Sequence, residues 1–102
     1  MTQPTTWSGG PRPLRIGVLA SIAHRTPPRE YGPWEQVAST LAEGLVALGH
    51  EVTLFATADS RTAARLHAEA PRGYEEDPGV DAKVYEGLHN AAAFERADEF
   101  TW

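Results

Sequence analysis

Between Leu14 and Thr57 the chain changes character in an order that few folds accommodate. An apolar run, Leu14-Arg15-Ile16-Gly17-Val18-Leu19-Ala20, gives way to a Gly/Pro loop and a segment of helical periodicity; Gly49-His50-Glu51-Val52-Thr53-Leu54-Phe55-Ala56-Thr57 follows. Strand, helix, strand, with a glycine closing the helix, is the pattern of a right-handed crossover between two parallel strands. Such units hold ligands in the crevice beyond the carboxyl ends of their strands, so function is expected on the loop after Ala20.

The helix is expected from Trp34 to Leu48. Val37, Leu41, Leu45 and Leu48 recur at helical spacing with Ala38 and Ala42 beside them, while Glu35, Gln36, Ser39, Thr40 and Glu43 take the other faces. Gly49 supplies a left-handed closing residue, and Glu35 puts negative charge in the first turn, at the positive end of the helix. Leu14 to Ala20 and Glu51 to Phe55 are expected as adjacent parallel strands. Val18-Leu19 and Val52-Thr53-Leu54-Phe55 are near-continuous apolar runs, as in strands covered on both faces. The fold class expected is α/β, a partial Rossmann-like parallel sheet with additional helices.

At 102 residues the chain is compatible with one small domain over 14–102 and a sheet of few strands. Met1 to Pro13 is polar and rich in Pro and Gly, a flexible lead-in. Arg12 and Arg15 ahead of a short apolar run mimic a secretory signal, but the run is too short and reads as a strand. No stretch approaches the roughly 20 apolar residues that cross a bilayer. Net charge −5 with scattered basic residues opposes a nucleic-acid or membrane-surface role, and the absence of cysteine excludes disulfides, thiol nucleophiles and thiolate metal sites. A cytoplasmic protein is expected.

After Phe55, Asp59 or Ser60 is expected to cap a short helix through Thr62 to Ala68, ended by Pro71-Arg72-Gly73. Tyr74 to Gly79 reads as an acidic loop, with Glu75-Glu76-Asp77 a solvated run of like charge. A second helix is expected from about Asp81 to Ala97, with Val84, Leu88, Ala91 or Ala92 and Phe94 or Glu95 tracing its faces. His50 belongs at a strand start in a structural role. His67 and His89 lie on expected helices without a partner at i+4, and no carboxylate completes a ligand set, so neither a metal nor another cofactor is expected.

The loop from Ser21 to Gly32 carries the chemistry. It holds His24, Arg25, Arg29, Glu30 and Tyr31 next to Gly32 at a helix start. Backbone N–H groups at a helix start suit an anion, and the planar donors of arginine suit phosphate. The competing reading makes Arg25 and Arg29 ordinary solvated charges on a proline-bracketed loop.

Taken together, Ile16-Gly17-Val18-Leu19, Tyr31-Gly32-Pro33-Trp34-Glu35, the series from Leu41 to Ala56 through Gly49-His50-Glu51, and Asp59-Ser60-Arg61-Thr62 resemble the amino-terminal portion of a bacterial family 4 glycosyltransferase of the GT-B fold. Leu88 to Ala97 resembles the helix that leads into that family's next core strand. Most relatives carry two glycines where this chain has Gly32-Pro33, which removes one backbone N–H. Relatives continue into a strand with a histidine motif and a second Rossmann-like domain that binds the nucleotide-sugar.

The resemblance implies the acceptor-side portion of a retaining transferase, truncated and inactive alone. It places Gly32 near a donor diphosphate and His24, Arg25 and Tyr31 in a loop facing an interdomain cleft. Nucleotide-sugar and sugar acceptor are the implied partners. The alternative is a stand-alone α/β binding or interaction module without transfer chemistry; a dinucleotide-binding piece fares worse, because the loop after Ala20 lacks the G-x-G-x-x-G spacing. A sheet with an open edge is further expected to recruit a second copy, with Phe94, Phe100 and Trp102 near the contact.

Overall fold

The computed structural model describes residues 13–100, so most of the lead-in and Trp102 lie outside the described residues. Three strands, β1 (Arg15–Leu19), β2 (Glu51–Phe55) and β3 (Arg65–His67), form a parallel sheet in the order β1-β2-β3. Helix α1 (Pro33–Ala47) joins β1 to β2, α2 (Ala82–Glu95) follows β3, and a short 3-10 turn occupies Ala97–Glu99. The α/β class and the Rossmann-like β-α-β start are as the sequence led us to expect.

Register is continuous: Arg15 to Leu19 of β1 lie opposite Glu51 to Phe55 of β2. The even-numbered positions share one face, where Val18, Ala20, Val52, Leu54 and Ala56 pack on Ala38 and Ala42 of α1, with Ile16, Leu45, Val46, Ala64 and Leu66 at the margins. Gly49, at φ 93°, turns the chain out of α1 in the left-handed region. Its N–H donates to the Val46 carbonyl, and that of His50 to Leu45.

The buried stripe of α1 differs from the one expected. Glu35, Ala38, Ser39 and Ala42 face inward, whereas Val37, Leu41 and Leu48 are 62%, 51% and 63% exposed. The small side chains let the helix lie close to the sheet, and the buried set keeps the i, i+3, i+4, i+7 spacing of one face. The larger residues flank it. On α2 a similar shift occurs: His89 and Ala92 are buried while Val84 and Leu88 are exposed.

The short helix expected over Thr62 to Ala68 is instead strand β3. Thr53, Leu54 and Phe55 of β2 align with Arg65, Leu66 and His67, because the second edge of β2 offers unpaired backbone groups to any extended neighbour. Ser60 and Asp59 therefore cap no helix. Asp81 does cap one, its side chain accepting from the Val84 N–H at 3.1 Å.

The odd-numbered sheet face is only partly covered. Phe55 lies 5.3 Å from the His67 ring and 5.9 Å, edge-on, from Phe100. Gly17 lets Phe100 settle on β1, since a Cβ there would stand 2.9 Å from its ring. Leu19 remains 51% exposed, so coverage on both faces does not extend to β1.

Candidate functional site

The loop after β1 is fixed from two sides. Tyr74 and Glu75 donate their backbone N–H groups to the carbonyls of Ile22 (3.2 Å) and Ala23 (3.0 Å). This approach requires glycine at 73, where a Cβ would lie 2.4 Å from the Ala23 oxygen. On the other side the Thr26 N–H donates to Ser60 Oγ at 2.9 Å, the Thr26 carbonyl accepts from Arg61 at 2.8 Å, and Thr57 Oγ1 donates to Asp59 at 2.6 Å. Asp59-Ser60-Arg61 thus anchors the loop.

A cleft of about 290 Å³ opens where this loop meets the start of α1, lined by Ala23, His24, Tyr31, Gly32, Pro33, Trp34, Glu35, Tyr74 and Glu75. It sits beyond the carboxyl end of β1, where the fold places ligands. His24, Tyr31 and Gly32, three of the four residues singled out from sequence, line it together.

Arg25 does not. Its backbone N–H donates to Glu76 at 3.2 Å, and its Nε is buried without a hydrogen-bond partner. Arg29 is also turned away, paired with Glu76 at 3.3 Å and Asp59 at 3.5 Å. Exposed pairs of this kind contribute roughly 0–1 kcal/mol.

Gly32 is held by packing: a Cβ would meet Pro28 Cβ at 2.8 Å and Glu35 Oε1 at 2.9 Å. Its carbonyl accepts from Gln36, and no side chain caps α1. With Pro33 lacking an N–H, the Trp34 and Glu35 N–H groups are the helix-start donors left without an intrahelical acceptor. Glu35 folds back from the first turn. Its buried carboxylate accepts the His24 N–H at 3.3 Å and stands 3.7 Å from His24 Nδ1.

Sequence reasoning read Glu35 only as a partner of the helix dipole and did not select Trp34, Tyr74 or Glu75. The spacing of Glu35 three residues after Gly32, as in a capping box, was the available signal that its side chain would reach back. For Tyr74 no local signal exists, because 50 residues of chain must fold before it meets Ala23. Tyr31 and Trp34 are 80% and 74% exposed, aromatic faces presented to solvent at the cleft mouth. Burial, and then the Glu86 carboxylate, push the Tyr74 phenol above its ordinary pKa.

The charge around the cleft is carboxylate from Glu35 and Glu75, with imidazole from His24 and no guanidinium. Such a lining suits a hydroxylated, uncharged ligand better than a diphosphate. Among the described residues no group of three His, Cys, Asp or Glu could hold a metal ion, and no helix is long and apolar enough to cross a membrane. The fold and cleft define an α/β unit with a ligand-sized site at the carboxyl edge of its sheet. In comparisons with known proteins, no family model and no curated protein matches this chain.

Proposed function

We propose that this chain is the amino-terminal, acceptor-side unit of a retaining, nucleotide-sugar-dependent glycosyltransferase of family 4, and that the α1 cleft is where it contacts a saccharide. One observation carries the reading: the cleft gathers His24, Tyr31 and Gly32 with the exposed face of Trp34 and the carboxylate of Glu75. Aromatic faces pack against the C–H surface of a sugar ring, while carboxylate and imidazole hydrogen-bond its hydroxyls. The resemblance of the segments around Tyr31-Gly32 and Gly49-His50 to that family supports the same assignment. Transfer itself needs groups that hold the nucleotide-sugar against the acceptor, because rate depends on positioning both partners.

Titrating the isotope-labelled chain with maltose tests the proposal. Shifts confined to His24, Tyr31, Trp34 and Tyr74, saturating on the order of millimolar, are expected, and Trp34→Ala should abolish them. Shifts with pyrophosphate but not maltose would return the cleft to an anion site.

The alternative reading is a stand-alone binding module that uses the same cleft without transfer chemistry. An in-frame donor-binding domain encoded beyond Trp102 decides for the transferase, and a stop codon for the module. In either case the open side of β1, beside exposed Leu19 and Phe94, is proposed as the contact for a second copy.

A further inference from the structure

We infer that Glu35 is a positioning residue: it holds the proton of His24 on Nδ1 and so makes Nε2 a hydrogen-bond acceptor for a ligand hydroxyl in the cleft. The inference deepens the saccharide reading above and rests on it for the identity of the ligand.

One carboxylate oxygen meets one residue at two points, by a hydrogen bond to its backbone and by charge beside its ring. Glu35 Oε2 accepts the backbone N–H of His24 and stands 3.7 Å from its Nδ1, which is buried and makes no hydrogen bond. If the neutral ring carried its proton on Nε2, the lone pair of Nδ1 would point at a carboxylate oxygen in a site closed to water. A proton on Nδ1 turns that repulsion into attraction. Glu35 cannot swing away: its side chain is 2% exposed and Oε1 lies against Gly32, where a Cβ would stand 2.9 Å from it. The His24 side chain keeps 28% of its surface exposed, and since Nδ1 is covered, polar contact with the cleft falls to Nε2. A carboxylate that orients an imidazole from behind fixes both its tautomer and its direction.

The tautomer is read from long-range nitrogen–proton correlations on the whole chain at a pH where its histidines are neutral. Wild-type His24 is expected as the Nδ1–H form. In Glu35→Gln the amide oxygen still accepts and both forms should be populated; in Glu35→Met the Nε2–H form should dominate. Wild-type His24 in the Nε2–H form overturns the inference, as does a wild-type spectrum for a folded Glu35→Met chain. Maltose affinity should fall about fivefold or more in Glu35→Met, the loss of one neutral hydrogen bond; unchanged affinity beside a switched tautomer would refute the acceptor role of Nε2. The tautomer is measured without ligand, so failure of maltose to bind the wild type defeats the cleft as a saccharide site and leaves the hold of Glu35 on His24 to the spectrum alone.

Discussion

Gly32 and Gly44 are both glycines of the α1 region, yet opposite outcomes are expected when each becomes alanine. At Gly32 the new methyl meets the Pro28 ring and the Glu35 carboxylate, so Gly32→Ala should cost about 1–3 kcal/mol and distort the cleft. At Gly44 nothing lies within 4 Å, and Gly44→Ala should stabilise by about 0.5–1 kcal/mol through helix propensity. Denaturant melts of the two variants check both signs. His89 gives the pH dependence. It is buried and its Nε2 donates to the Ala20 carbonyl at 2.7 Å, tying α2 to the end of β1. Burial lowers its pKa, so as pH falls the unfolded chain takes up this proton before the folded chain does. The unfolded state then binds more protons, and the stability contributed is full above about 6.5, the unfolded value, and lost as pH falls toward the lower folded value. His89→Gln, which keeps an N–H donor, should flatten the decline of Tm with acid in that window.

At the scale of the element, α1 packs through its small residues. Ala42 is fully buried against the sheet, so Ala42→Leu should overpack the interface and cost about 1–3 kcal/mol. Leu41→Asp, one residue away on the exposed flank, should change stability by no more than about 0.5 kcal/mol. Equal effects from the two substitutions would mean that the helix is rotated from the orientation described. Sequence periodicity located this helix, its closing glycine and Ala38, Ala42 and Leu45 of its packed side, but not the centre of the buried face. Apolar size drew the eye to Val37, Leu41 and Leu48, whereas close approach to a sheet selects Ala38, Ser39 and Ala42. Strand β3 was illegible for a related reason. Arg65 to His67 is extended because β2 has an edge to fill, a condition no short window of sequence contains.

For the whole molecule the open side of β1 matters most. Among the described residues, that strand pairs with β2 alone, and Leu19 and Phe94, 51% and 79% exposed, flank an apolar depression that also includes Phe55 and Phe100. Trp34, Val37, Leu41 and Leu48 add exposed apolar surface along α1. Light scattering over a dilution series is expected to show association, weakened by Leu19→Lys, since a charged edge resists strand pairing. A monomeric mass at every concentration would refute it. Phe100 also covers Phe55 and Gly17 within its own chain.

Sequence by itself determined what local forces determine: the β-α-β order, the glycine turn after α1, the second helix from about Asp81, and a loop after β1 that carries His24, Tyr31 and Gly32. Each follows from neighbours a few residues apart, through periodicity, capping or turn geometry. The tertiary structure alone decided that Glu35 and Ser39 turn inward on α1, that Arg65 to His67 extends, that Arg25 stays out of the cleft and Arg29 pairs with Glu76 and Asp59, and that Tyr74 and Glu75 complete the cleft. Those outcomes depend on residues far apart in the chain meeting through space, where steric fit, an unfilled strand edge and the pairing of charges outweigh local preference.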